Sequence, residues 1–415
     1  MDRRIAALGT LSLLALSACG DPVGPVPVEE ITELPRALTA DEIQVIGASN
    51  RFAFDLLHLA SKPDSNLFLS PVSASMALGM TMNGTAGETL AQMRTALGFG
   101  DLGLDEIDAS YRSLIDLLLG LDPSVEMAIG NSVWSRTGFP VRQTFLDTVR
   151  EYFDAEAEEL DFSQASAPAR INGWVSDATQ GRIDEIVPAQ IPAEVVMYLI
   201  NAIYFKGSWT QQFDPKDTRD EPFHFADGST RSTKMMRLEA TLPYRAGADF
   251  QAVDLPYGGQ AFSMTVVLPR EGVPLEQVVA SLDTEAWDDL VSGFFGVEGT
   301  LWLPRFRMSY ERLLNDDLKA LGMTDAFSET DADFTPMYRD ALAAQLHVQK
   351  VKQKTFLKVD EVGTTAAAVT SVEIGVTSAP LTYVVEADRP FFLAIRERLS
   401  GTVLFAGFIV QAPTD

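Results

Sequence analysis

The chain has 415 residues, of which 46% are hydrophobic and 22% charged, and its formal net charge is −26. That apolar content supports a sizeable core and excludes global disorder. The acidic balance, interrupted by no Lys/Arg run, argues against phosphate-backbone and other polyanion binding, so neither a nucleic acid nor a glycosaminoglycan partner is expected.

The chain opens with MDRRIAALGTLSLLALSAC: two arginines (Arg3, Arg4), an apolar run over residues 5–16, then small residues. This is the layout of an export signal, too short to cross a membrane as a stable helix. Leu16-Ser17-Ala18-Cys19 resembles a bacterial lipobox, in which Cys19 becomes diacylated and forms the new N-terminus. The bland alternative is an ordinary signal peptide with a chance cysteine. Cys19 is the only cysteine in the chain, so no disulfide is available to the mature protein and packing must supply its stability. Residues 1–18 are therefore read as a lipoprotein signal peptide. Residues 19–44, with Pro22, Pro25, Pro27 and Pro35, are read as a lipidated cysteine followed by a semi-stiff tether. Gly20 stands where a retention aspartate would, which places the expected anchor on the outer membrane or cell surface. Without an anchor, the expected location is periplasmic or extracellular.

Residues 45–415 are read as one domain. Val45, Ala48, Phe52, Leu56, Leu59 and Ala60 recur at helical spacing, and Pro71 opens a second helix through Met76, Leu78, Met80 and Met82. Further helices are expected over 104–119, 143–153, 167–179 and 312–321. Strands are expected over 196–205, 251–255, 262–268, 300–303, 345–359, 383–386, 391–396 and 403–409. Helices concentrated early and strands concentrated late indicate an α+β fold and not alternating β-α-β units.

Signatures of catalysis are missing. There is no His-Glu-x-x-His, and His58, His224 and His347 stand far apart with no acidic or cysteine companions at ligand spacing. No Gly-x-Ser-x-Gly elbow supplies a nucleophile. Gly98, Gly100 and Gly103 match Gly-x-Gly-x-x-Gly, but they follow a helical stretch and carry Asp101 where a phosphate would approach, so they read as a loop. A lipid-anchored hydrolase thus has no constellation to act with. No catalytic residue, metal or cofactor is expected.

Near the C-terminus, residues 359–380 read VDEVGTTAAAVTSVEIGVTSAP, and residues 363–372 carry no charge. As a strand, one face would carry Thr364, Ala366, Ala368, Thr370, Val372, Ile374 and Val376, without charge and increasingly apolar. The other would carry Thr365, Ala367, Val369, Ser371, Glu373, Gly375 and Thr377, with the one charge on the side that meets solvent. A charge on the first face would cost several kcal/mol if buried. The bland reading is a Thr/Ala linker.

Seven stretches in order resemble the serpin family: NLFLSPVS from Asn66, NGWVSDATQGRIDEIV from Asn172, INAIYFKGSWTQQFDP from Ile200, VDLPYGGQAFSMTVVLP from Val253, LPRFRMSYERLLNDDLKALGMTDAF from Leu303, KVDEVGTTAAA from Lys358 and DRPFFLAIRERLSGTVLFAGFIV from Asp388. The resemblance covers about residues 45–412 and implies the serpin fold. That fold has three β-sheets, a cap of about eight to nine helices, a metastable native state and an exposed reactive loop, here about residues 361–388, that inserts into the main sheet when cut. It implies a monomeric inhibitor of serine proteases, with cysteine proteases as further targets, and no enzyme activity of its own.

The family's residues carry over one at a time. Glu361, Gly363, Thr364, Ala366, Ala367 and Ala368 correspond to the loop hinge. Sixteen residues beyond Glu361, the scissile bond falls between Thr377 and Ser378. The loop is about two residues longer than in familiar members, so Val376–Thr377 and Ser378–Ala379 stay open as alternatives. A small uncharged residue before the bond suits an elastase-like or subtilisin-like protease. Ser70, Ser73 and Asn201 correspond to the polar shutter beneath the main sheet, Gln353 stands where many members have histidine, and Trp209 corresponds to the aromatic where the loop enters. The alternative function is a non-inhibitory, binding or chaperone-like member, against which the small neutral hinge speaks.

Overall fold

The computed structural model describes residues 29–62, 64–338, 346–364 and 382–411. In chain order it runs α1 (Ala40–Ala60), β1 (Leu67–Leu69), α2 (Pro71–Met82), α3 (Gly87–Ala96), α4 (Leu104–Gly120), β2 (Val125–Arg136), α5 (Gln143–Phe153), β3 (Glu156–Leu160), α6 (Ser166–Ala178) and β4 (Met197–Ser208). There follow β5 (Arg219–His224), β6 (Thr230–Ala246), β7 (Phe250–Tyr257), β8 (Phe262–Pro269), α7 (Leu275–Ala280), α8 (Thr284–Ser292), β9 (Phe295–Pro304), β10 (Phe306–Leu313) and α9 (Asn315–Ala320). The chain closes with β11 (Lys352–Val359), β12 (Gly363–Thr364), β13 (Thr382–Glu386), β14 (Phe391–Glu397) and β15 (Val403–Ile409).

Local chemistry explains the helix starts. Thr39 accepts a hydrogen bond from the Glu42 amide, and the Glu42 carboxylate accepts one from the Thr39 amide, a reciprocal cap that begins α1. Burial alone would raise the Glu42 pKa, but the Arg36 guanidinium and Ser113 outweigh it and hold the group down at about 2. Pro71 opens α2, which is buried on nearly every side and so runs through the interior. The chain packs earlier than α1: the Ile31 amide donates to the Gly259 carbonyl at 2.7 Å, and Ile31, Leu34 and Leu38 lie against the core.

Among the described residues, nine strands form one continuous sheet in the order β1-β15-β14-β8-β7-β6-β9-β13, with β5 on β6. The long β6 joins two regions, pairing with β9 over Met235–Tyr244 and with β7 over Tyr244–Ala246. Strands β8, β14 and β15 are buried at every residue, so they lie inside the molecule and not at its surface. The main sheet is divided. One part has the order β12-β4-β2-β3, the other is the pair β10-β11, and among the described residues no pairing joins β4 to β11.

The fold is the expected α+β type, with differences in detail. Residues 312–313 complete β10, because Arg312 and Leu313 pair with Gln353 and Lys352, and α9 begins only at Asn315. Residues 346–351 precede β11 without strand pairing. Strand β2 hides its period: Ser132 to Ser135 are all buried because α6 covers the outer face, where Trp134 meets Trp174 edge-on.

Candidate functional site

The site is the gap between β4 and β11, with a hinge at its head and polar groups beneath it. Strand β11 ends at Val359, and the chain turns through residues 360–362 into β12. The Asp360 carboxylate shapes the turn by accepting from the Val362 and Gly363 amides at 3.1 and 3.2 Å. The Asp360 amide donates to the Gly363 carbonyl at 3.0 Å. Gly363 and Thr364 then pair antiparallel with Ser208 and Gly207. A Cβ on Gly363 would stand 2.2 Å from the Gly207 carbonyl oxygen, so close backbone approach demands glycine here.

Trp209 clamps the turn twice. Its indole N–H donates to the Asp360 carbonyl at 2.9 Å and its amide to the Val362 carbonyl at 2.8 Å. Glu361 is buried. Its carbonyl accepts from the Phe213 amide, and its carboxylate accepts from the Thr218 hydroxyl at 2.7 Å and lies 3.4 Å from Arg305. Thr364 is 4% exposed and points inward, its hydroxyl 2.8 Å from that of Tyr257. Tyr257 stacks on Trp209 with centroids 4.5 Å apart, and burial pushes its pKa up, which keeps the phenol protonated and able to donate.

Beneath the gap, the polar residues divide into two groups. The Gln353 amide group donates to the Ser70 carbonyl at 2.7 Å and accepts from the Ser70 amide at 3.0 Å, while the Ser70 hydroxyl donates to the Leu404 carbonyl at 2.8 Å. This group belongs to β11 and α2, and Ser73 is buried on the same helix. Asn201 belongs to the other side. It donates to the Asn131 side chain at 2.7 Å, and Asn131 donates to the Phe153 carbonyl at 2.7 Å. The Asn201 side-chain oxygen is buried and has no hydrogen-bond partner among the described residues. Ser70 and Gln353 thus meet, whereas Asn201 bonds to neither of them, and its nitrogen reaches the Met76 sulfur of α2 at 3.9 Å.

A cavity lies in the gap itself. Ile203, Tyr204 and Phe205 from β4, Phe356 and Lys358 from β11, and Thr364 at the top contribute to its wall. On the far side of the loop, β13 pairs in parallel with β9, in a different sheet from β12. Ala366, Ala367, Ala368, Thr377, Ser378 and Cys19 lie outside the described residues.

Sequence reasoning passed over Asn131, Tyr257, Thr218, Arg305 and Asp360. Tyr257 had a signal, since it stands inside VDLPYGG, a stretch that carried the resemblance. Asn131 had none, because its partner Asn201 is 70 residues away and only the β2–β4 register brings them together.

The profile of the family described as "Serpin (serine protease inhibitor)" matches residues 47–412. Neuroserpin from Gallus gallus is 35% identical over 362 residues, covering 85% of this chain and 87% of the relative. The solved native state of Tengpin, a thermophilic serpin, matches with a TM-score of 0.81 at 30% identity, covering 93% of this chain and 97% of that one. Human thyroxine-binding globulin complexed with thyroxine also matches at 0.81, at 29% identity over 90% of this chain and 100% of that one.

Proposed function

This chain belongs to the serpin family, whose members mostly inhibit serine proteases and are not enzymes, and from that premise we propose that it inhibits elastase-like or subtilisin-like serine proteases as a suicide substrate. The cut loop enters the gap between β4 and β11 as a new strand and carries the acylated protease with it.

The observation that carries this reading is the pairing of Gly363 and Thr364 with β4 at the head of the gap, with Thr364 pointing inward. Gly363 and Thr364 pair with Ser208 and Gly207; in an inserted strand that kept this antiparallel register, Ala366 would fall beside Phe205, Thr370 beside Asn201 and Val372 beside Leu199. Counted along β11 from the turn in which the Asp360 amide bonds the Gly363 carbonyl, Thr370 would fall beside Gln353 as well. Thr370 would then stand between the two polar groups and offer a donor to the Asn201 oxygen, which has none among the described residues. The face that begins with inward-pointing Thr364 is the uncharged one, and Glu373 falls on the other.

The test is incubation with an elastase and a subtilisin. We expect a covalent complex that survives denaturing electrophoresis, and a released peptide whose mass places the cut between Thr377 and Ser378 or one residue to either side. Complete loop cleavage with free turnover of the protease would overturn inhibition.

We place the mature protein, a monomer, on the outer membrane or cell surface through a diacylated Cys19. Cys19→Ser is expected to shift it from the membrane fraction to the soluble fraction. Unchanged fractionation would exclude the anchor.

A binding protein that traps no protease is the second reading, favoured by the equal structural likeness to thyroxine-binding globulin. The small, neutral hinge speaks against it. Loop cleavage without a large gain in thermal stability would support it.

A further inference from the structure

Whatever opens the gap has to separate β4 from β11, so the contacts that bridge the two halves determine how readily it opens. At the head, Trp209 and Phe213 hold the hinge turn. On the underside, Gln353 ties β11 to α2 and not to β4. On the outer face the guanidinium carbon of Arg182 lies 5.4 Å from the centroid of the Phe356 ring. We propose that Arg182 is a positioning residue, a latch that holds the halves of the divided sheet together through this stack.

Each partner is fixed to its own half. Arg182 follows α6 on a turn in which Gln180 and Gly181 adopt left-handed φ values of 52° and 71°. Buried Thr179 secures that turn: its hydroxyl donates to the Val175 carbonyl at 2.8 Å and accepts from the Ile183 amide at 3.0 Å, and its carbonyl accepts from the Arg182 amide at 3.0 Å. Helix α6 in turn packs on β2 and β4 through Ile171, Val175, Trp134 and Ile200, so Arg182 moves with β4. Phe356 belongs to β11, whose Gln353, Thr355, Leu357 and Val359 are buried on the inner face, which leaves Phe356 on the outer one. Both residues line the cavity that an added strand would occupy. The stack cannot persist once the halves part. An exposed contact of this type shifts an opening equilibrium about two- to fivefold.

The latch itself is a property of the unopened protein, while its consequence for trapping rests on the insertion reading. The experiment uses the full-length chain and measures backbone amide exchange by mass spectrometry of peptides from β4, β11, β14 and β15. Arg182→Ala and Phe356→Leu should each raise exchange in β4 and β11 about two- to fivefold, with β14 and β15 unchanged. Arg182→Lys, which keeps the cation, should stay at the wild-type rate. The double variant should exchange no faster than the faster single one, since the two residues make one contact. Wild-type exchange in Arg182→Ala, or acceleration shared by β14 and β15, overturns the latch. Separately, cleavage of the wild-type loop with no thermal gain overturns insertion and leaves the exchange result to decide the latch. If both hold, cleaved Arg182→Ala should gain its thermal stability faster than cleaved wild type.

Discussion

Tyr257 links three features at the head of the gap: it bonds the inward hydroxyl of Thr364, stacks on Trp209 and meets Phe205 edge-on at 5.0 Å. Its phenol and the threonine hydroxyl are both buried, so each is the other's means of avoiding an unpaired polar group. Tyr257→Phe should therefore cost about 1–3 kcal/mol of stability in a denaturant titration, because it strands the Thr364 hydroxyl. Tyr257→Phe combined with Thr364→Val should recover part of that loss, since it removes both polar groups together. A strictly additive double variant would show that the pair does not act as a unit. Gln353 makes a comparable pairing to Ser70 with an amide, which does not titrate, so this centre should confer no histidine-like pH dependence.

Helix α4 carries a group that does titrate. Asp108 is buried against α2, where the Asn83 side chain donates to it at 2.9 Å, with Tyr111 and Asp105 nearby. Burial pushes its carboxyl up from the usual carboxylate range to about 7, and Asp105 adds to the rise while Asn83 opposes it. The folded state thus binds this proton more tightly than the unfolded state. The stabilisation it contributes is fully present below the ordinary carboxyl pKa and is lost as pH rises towards about 7. Asp108→Asn should remove that part of the stability–pH slope and be more stable than wild type by a few kcal/mol at about pH 8. Parallel slopes for the two proteins would rule out Asp108 as the source. The same helix pair holds the Ser75–Tyr111 hydroxyl contact at 2.6 Å, so a shift of α4 reaches the buried face of α2, which begins beside Ser70.

At the scale of the whole molecule, no described strand stands between β4 and β11, and the chain on either side of residues 365–381 is anchored at β12 beside β4 and at β13 beside β9. Antiparallel strands on either side would give an inserted segment hydrogen bonds on both edges, which a loop in water gains only from solvent. Cutting the loop frees the β12 end from β13. The melting temperature should then rise by more than about 10 °C, given roughly 2 °C per kcal/mol for a chain of this size. Calorimetry before and after limited proteolysis measures this, and an unchanged melting temperature would contradict insertion.

Much of this was legible without coordinates wherever local chemistry sets the outcome. Pro71 marks a helix start because its fixed φ and missing N–H suit that position, and the alternation beginning at Thr364 assigns faces because a strand has a period of two. The seven motifs, met in order, carried the resemblance to the family, and the uncharged stretch after Gly363 falls in the loop that the resemblance implies. Tertiary structure decided which distant residues share a partner. Ser70 and Gln353, 283 positions apart, meet, while Asn201 faces Asn131 on the other half of the sheet. It also decided that Arg312 and Leu313 close a strand, through their pairing with Gln353 and Lys352, and that Gly363 is required by the approach of the Gly207 backbone as well as by a turn. The reason is the same in each case: register and packing between strands far apart in sequence set these contacts, and neither leaves a trace in the local pattern of side chains.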